Sequence, residues 1–292
     1  MKLTLAPIPF YWPKQTVLDF YQQAQSWPVD RICLGETVCS KRREMRTEDW
    51  LDIARQLQAA GKEVAISTLA LVEAESELKA IRSLCEQSDI TVEANDLSAA
   101  EYLYQNGKAF TGGPFLNIYN VETLKLLAQD GLSRWTLPVE LGQKELSDLL
   151  ADIKREQLNI KTEVMVHGYL PLALSARCFT ARAVDRPKDA CKKVCIEYPT
   201  GIPVDSREDQ RLFNLNGIQT QSGLILDLLA ELPTLADMGV DAVRVVPSQP
   251  DMSEIIHTYA RALSGETGLA SPASSASYCN GYWYGKEGMA SL

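Results

Sequence analysis

Asp49-Trp-Leu-Asp-Ile-Ala-Arg-Gln-Leu-Gln-Ala-Ala-Gly-Lys-Glu-Val-Ala-Ile-Ser-Thr68 changes its hydrophobic period partway along. From Asp49 to Ala60, the apolar Trp50, Ile53, Ala54, Leu57 and Ala60 recur at helical steps and share one face. Gly61 follows, and glycine takes the left-handed backbone that closes a helix without steric cost. Val64–Thr68 is then short and rich in apolar and β-branched residues, as a buried strand is. A helix, a glycine and a buried strand in succession form half of a parallel βα repeat.

The same alternation extends in both directions. Strands are predicted at Leu3–Ile8, Arg31–Leu34, Val64–Thr68, Ile90–Glu93, Ala109–Thr111, Trp135–Val139, Thr162–Val166 and Ala242–Val246. Helices are predicted at Thr16–Ala24, Asp49–Ala60, Leu97–Gln105, Val121–Asp130 and Lys144–Gln157, and Gly107 and Gly131 punctuate two of them. Eight strands alternating with helices match a TIM-like (βα) barrel, and 292 residues suit one such domain spanning 1–292. Periodicity alone does not separate a closed barrel from an open sheet. Ser271–Ser277 reads as a short Ser/Ala-rich coil.

The alternation fails between Arg182 and Arg211, which is polar, Pro-containing and without an apolar period. A long structureless segment is uncommon inside a compact domain, so something other than a hydrophobic face must organise it. It belongs to an expected insertion, residues 171–240, over the C-terminal face of the barrel, where barrel proteins build their sites.

Composition narrows the function. A net charge of −9 repels phosphate backbones and disfavours nucleic-acid binding. No apolar run approaches the length of a membrane span, and Met1–Pro7 lacks the long apolar core of a secretory signal. The expectation is a soluble cytoplasmic protein, in which seven cysteines are reduced thiols rather than disulfide partners.

Three of the seven, Cys33, Cys85 and Cys279, read as small packed hydrophobes. The others read as ligands. Cys39 and Cys178 follow strands at the C-terminal face, and Cys191 and Cys195 lie in the polar segment. Four thiolates meeting there would pin that segment through a metal. Cys39 is followed by Lys41, Arg42, Arg43 and Arg46, and five basic residues against two acidic ones lie between Cys178 and Cys195. Neighbouring cations favour the thiolate and offset its charge. Four thiolates suit zinc or an iron–sulfur cluster, and the scattered spacing is unlike the paired C-x2-C pattern of structural zinc sites.

Other chemistry is sparse. There are two histidines. His167 ends a predicted strand at the presumed active face and is a candidate acid, base or substrate contact. His257 lies on a helical stretch. Arg42, Arg43, Arg177 and Arg182 match carboxylate geometry and are candidates for an anionic ligand or for balancing a cluster. Of the carboxylates Glu36, Glu93, Glu140 and Glu163, the last is expected inside the barrel. No P-loop, G-x-S-x-G or G-x-G-x-x-G motif is present.

Glu163-Val-Met-Val-His-Gly-Tyr-Leu-Pro-Leu-Ala-Leu-Ser-Ala-Arg-Cys178 resembles the signature of the peptidase U32 family, with Pro171 and Ala176 in place of its first cysteine and its glycine. Phe10–Lys14, Leu34–Arg43, Ile66–Val72, Ser175–Arg182, Asp185–Asp189, Leu215–Thr220 and Cys279–Trp283 extend the resemblance, nearly end to end, to a branch of that family. The resemblance implies oxygen-independent hydroxylation of the aromatic ring of ubiquinone precursors, in a heterodimer with a UbiU-like protein. It further implies a [4Fe–4S] cluster on Cys39, Cys178, Cys191 and Cys195, prephenate as a hydroxyl donor and a lipid-binding accessory protein. The rival readings are a scaffold stapled by a metal such as zinc, an RNA hydroxylation factor and a peptidase. No nucleophile–base arrangement can be recognised for the last.

Overall fold

The structure, a computed structural model, describes residues 1–86, 90–271 and 278–292. The predicted coil Ser271–Ser277 lies outside the described residues except for Ser271. The strands are β1 (Lys2–Leu5), β2 (Arg31–Leu34), β3 (Glu63–Ser67), β4 (Thr91–Ala94), β5 (Phe110–Gly112), β6 (Leu132–Thr136), β7 (Lys161–Leu174), β8 (Ile202–Asp205), β9 (Arg211–Asn216), β10 (Gln219–Asp227), β11 (Ala242–Val245) and β12 (Tyr278–Cys279). The helices are α1 (Lys14–Ala24), α2 (Thr47–Ala59), α3 (Glu75–Glu86), α4 (Leu97–Gln105), α5 (Val121–Gln129), α6 (Gln143–Arg155), α7 (Phe179–Ala183), α8 (Leu232–Asp237) and α9 (Ser253–Leu263).

β1 to β7 pair in parallel in chain order, and β11 joins β7 to β1, so eight parallel strands close a barrel. Closure is in register from Lys2↔Ala242 to Leu5↔Val245. Leu3, Leu5, Ile32, Leu34, Val64, Ile66 and Val92 belong to one continuous apolar core with Phe20, Leu57, Leu103 and Ile256 of the surrounding helices. β1 stops three residues short of the predicted Ile8 because Pro7 and Pro9 lack the N–H a ladder needs. β6 spans Leu132–Thr136 rather than Trp135–Val139, and Pro138 lies just beyond it.

The barrel interior is ionic rather than layered with branched apolar residues. Arg244 Nη1 lies 2.7 Å from Glu93 Oε2 and 2.7 Å from Glu163 Oε1, and Nη2 donates to Glu93 Oε1 at 2.9 Å. Thr4 Oγ1 donates to Glu163 at 2.7 Å, and Ser67 Oγ to Glu93 at 2.8 Å. Arg31 and Arg134 approach Glu163 at 4.0 and 3.5 Å and share Glu63 at the other end. Three guanidiniums thus face three carboxylates. Deleting one partner would strand a charge out of water, so the set stands or falls together.

The largest departure from expectation is β7. It runs eight residues past the predicted end at Val166 and forms an antiparallel sheet with β10 outside the barrel. β9 and then β8 extend this sheet. The bend out of the barrel falls at Gly168, whose φ is +124° and where a Cβ would come within 2.7 Å of Val246. The segment read as having no regular structure is therefore part hairpin. Only residues 184–201, between α7 and β8, consist of turns and single 3-10 turns.

Candidate thiol centre and barrel-mouth pocket

Cys39 follows β2 in a turn fixed by Glu36, whose carboxylate accepts the Val38 and Cys39 N–H groups at 2.8 and 2.9 Å. Two residues on, Lys41 Nζ donates to Lys188 O at 3.1 Å and pairs with Asp189 at 3.0 Å. Lys188 bonds Glu73 and Ala176 O. These tethers bring the turn after Cys39 against the segment that leads into Cys191. Further along, Trp12 Nε1 donates to Pro199 O at 2.7 Å. Cys178 caps α7, and its sulfur accepts the Ala181 N–H at 3.4 Å. Cys191 Sγ accepts the Lys193 N–H at the same distance.

Arg42 stands at the centre of this region. It is buried, donates to Pro9 O and Asn216 Oδ1 at 2.7 Å each, and lies 3.7 Å from Glu36. Gly217 permits this approach. Its φ is +68°, and a Cβ there would sit 2.8 Å from Arg42 Nη2. Burial raises the Cys39 and Cys195 thiols above their ordinary value, and Arg42 opposes the rise at both. Cys195 raises Cys39 further, and Cys178 raises Cys195. Lys41 feels both Cys39 and Cys191. The four sequence-selected thiols are half-buried, whereas Cys33, Cys85 and Cys279 are fully buried. Among the described residues, no three Cys, His, Asp or Glu side chains are grouped to hold a single metal ion.

Lys192 and Lys193, between Cys191 and Cys195, both have left-handed backbone, with φ of +50° and +54°. Such residues cost about 1 kcal/mol or more each outside glycine and persist where the surroundings over-determine them.

His167 does not end a strand. It lies within β7, is buried, and packs edge-on to Tyr259 of α9 at 5.8 Å. Its Nδ1 is 3.8 Å from Asp227, whose Oδ1 also lies 3.1 Å from the Tyr259 hydroxyl. Arg177 is exposed. Of the three catalytic candidates, Arg42 is buried and acts on Cys39 and Cys195, Arg177 precedes Cys178 on the surface, and His167 packs against Tyr259 and Asp227.

A second feature at this end of the barrel was not read from sequence. A small pocket opens at the mouth, lined by Phe115, Met165, Tyr169, Val246, Asn95, Gln219, Gln221 and the Glu93–Arg244 pair. Asn214, Asn216, Gln219 and Gln221 form a buried amide ladder, with Asn216 Nδ2 donating to Gln219 at 3.2 Å and Asn214 Nδ2 to Gln221 at 3.0 Å. Through Asn216 the ladder reaches Arg42 and hence the thiols. The alternation Asn214-x-Asn216 and Gln219-x-Gln221 was its available signal.

Fold and site together define a βα-barrel protein with a thiol-bearing excursion folded over its C-terminal face. Residues 18–266 match the model of Peptidase family U32, and the chain belongs to that family. Among solved structures, the U32 peptidase Mk0906 is similar at 13% identity over 85% of this chain and 93% of that one, with a TM-score of 0.46. The tryptophan synthase complex from Pyrococcus furiosus is similar at 14% over 91% and 98%, with a TM-score of 0.48. Dihydropteroate synthase from Anaplasma phagocytophilum is similar at 11% over 90% and 99%, with a TM-score of 0.45. Among the described residues no helix is long and apolar enough to cross a membrane.

Proposed function

We propose that the chain is the iron–sulfur subunit, of the UbiV type, of an oxygen-independent hydroxylase acting on the aromatic ring of ubiquinone precursors. In this reading it works as a heterodimer with a UbiU-like protein, and Cys39, Cys178, Cys191 and Cys195 hold a [4Fe–4S] cluster. Prephenate as hydroxyl donor and a lipid-binding accessory protein belong to the same reading. The observation that supports it most is that these four thiols, and not the other three, are half-buried, with Arg42 acting on Cys39 and Cys195 and Lys41 on Cys39 and Cys191.

The donor chemistry fits. Thiolates are the ligands of such clusters, and fully thiolate ligation leaves no open metal position. Bound there, the cluster would supply one-electron transfer at a potential set by nearby charge and hydrogen bonds. The chain's own contributions are distinct. Glu36 fixes the Cys39 turn, Arg42 and Lys41 offset thiolate charge, and the Ala181 and Lys193 N–H groups point at sulfur. The left-handed Lys192–Lys193 pair suits a loop whose conformation is imposed by what it encloses.

A peptidase reading gains nothing from the histidines. Among the described residues neither nitrogen of His167 has a hydrogen-bond partner, and His257 contacts Ser253 one turn back on its own exposed helix. The test is an anaerobic absorption and EPR spectrum of wild type beside Cys191→Ala. Wild type should show a broad near-visible band that the variant loses together with most of its iron. A colourless, zinc-loaded wild type would overturn the reading in favour of a metal-stapled scaffold. RNA binding at low salt would favour an RNA hydroxylation factor.

A further inference from the structure

We propose that the cleft between α2 and α3 is a binding site for a small amphiphile, an aromatic ring that carries an apolar chain, with the ring toward the turn that bears Cys39. The cleft has a volume of about 420 Å³, within the ordinary range for a small-molecule site. Its origin is local. α2 packs against α1 and α3 against α4, and the cleft opens between the two pairs. Ser76, Ala80 and Leu84 line it one helical turn apart on α3, and the first two are small and exposed, so this face leaves the gap unfilled. From the barrel side it is lined by the end of β3 and the two residues after it, Thr68 and Leu69. The C-terminal ends of strands are where βα barrels build their sites.

The kind of surface points to the occupant. Met45, Trp50, Leu69 and Leu84 line the cleft and are only half-buried, so apolar area faces water there and a ligand would cover it. Charge does not select. Arg42 lies 3.7 Å from Glu36, and Glu77 accepts Ser40 Oγ and the Glu73 and Ala74 N–H groups. Arg43, Arg46 and Glu48 are exposed, where an ion pair with a ligand is worth little. The lining is also graded. Along α3 it runs from Ser76 and Glu77 to Ile81 and Leu84, polar to apolar over about 10 Å, the length of a ring with a short chain. The polar end meets the thiol centre. Glu36 and Ser40, which flank and hold the Cys39 turn, belong to the lining, and Ser40 and Glu77 also line a second opening, of about 370 Å³, whose wall includes Cys39. The proposal deepens the reading above, whose aromatic substrate it places, and rests on that reading for the ring alone.

The probes are phenol, geraniol and 2-geranylphenol, titrated anaerobically into the purified full chain and followed by ligand-detected NMR and tryptophan fluorescence. 2-Geranylphenol should bind at least about tenfold more tightly than phenol, since burying about two chain carbons is worth that much, and more tightly than geraniol. It should change the fluorescence of wild type, and Trp50→Phe should abolish the change. Ala80→Trp and Ser76→Trp, which fill the cleft from exposed positions, should each weaken binding about tenfold or more. Leu126→Trp, at an exposed position on α5, should not. The proposal is overturned if 2-geranylphenol binds no better than phenol or geraniol, or if binding survives both fillings in proteins whose circular dichroism is native. A fluorescence change that persists in Trp50→Phe, or an equal loss in Leu126→Trp, would overturn it too. Iron assayed on the same samples separates the two readings. An iron-free chain that binds 2-geranylphenol in the cleft would remove the cluster and uphold the cleft, whereas an iron-loaded chain that ignores it would remove the cleft alone.

Discussion

Replacing Arg244 by Met removes the guanidinium that holds two buried carboxylates inside the barrel. Arg244 contacts Glu93 at 2.7 and 2.9 Å and Glu163 at 2.7 Å, and Glu93 is 1% exposed. Burial on its own would raise the Glu93 pKa, but Arg244, with help from Arg31 and Ser67, overcomes it and holds the group at about 2 against an ordinary 4.5. A carboxylate depressed in the folded state adds stability that is present above its unfolded pKa and is lost as pH falls through its folded one. For Glu93 that window runs from pH 4.5 down to about 2, and the shift corresponds to about 3 kcal/mol. Stranding a buried charge by deleting its partner costs about 3–5 kcal/mol. For 292 residues, with an unfolding entropy of about 0.6 kcal/mol/K, that is a fall of about 5–8 °C in Tm at pH 7. Without Arg244, burial raises the carboxyls, which then take up protons in the folded state. The gap between variant and wild type should therefore narrow as pH falls from 7 to 5, whereas wild-type stability from Glu93 is flat over that range. Paired thermal melts at pH 7 and 5 read both effects. A Tm loss below about 1 °C, or the same loss at both pH values, would refute the account of the barrel interior.

Three further outcomes are expected. Gly217→Ala should lower stability by about 1–3 kcal/mol in urea titrations, because the site needs a φ of +68° and the new Cβ meets Arg42. Lys41→Ala should leave Tm within about 1 °C but speed proteolytic cleavage between Arg182 and Thr200, since it removes the bonds to Lys188 O and Asp189 while that pair is solvent-exposed. Tyr259→Phe should cost about 1–2 kcal/mol in the same urea titrations by removing the hydroxyl that reaches Val166 O at 2.8 Å and Asp227 at 3.1 Å.

The barrel was legible because each βα unit announces itself locally. β2 was predicted to the residue, α4 likewise, and β11 to within one residue, because buried parallel strands and amphipathic helices carry their period in a short window. The sheet beyond the barrel was missed for the same reason. β7 keeps its strand conformation through Tyr169-Leu-Pro-Leu-Ala-Leu174 by pairing with β10, some fifty residues away, and no local pattern reports such a partner. β8 and β9 are short and only partly buried, and the alternation of Ile202 and Val204 with Pro203 and Asp205 is too brief to stand out as a strand. At the site, cysteines could be sorted by their polar, cationic surroundings, and the structure separates the same four as half-buried. The ionic interior was half visible. Glu163 was expected inside, but Arg244 within Ala-Val-Arg-Val looks like an interruption of a strand until Glu93 is found across the barrel. The cleft between α2 and α3 depends on how far apart two helices stand, which no local pattern reports.

The most direct test of the thiol centre is iron and acid-labile sulfide analysis of anaerobically purified protein, across single Cys→Ser variants at all seven cysteines. The account predicts equal iron and sulfide in wild type, in the ratio of a [4Fe–4S] cluster, with sharp loss of both at positions 39, 178, 191 and 195 and retention at 33, 85 and 279. Iron retained when Cys39 or Cys195 is replaced, or lost equally at all seven positions, would contradict it.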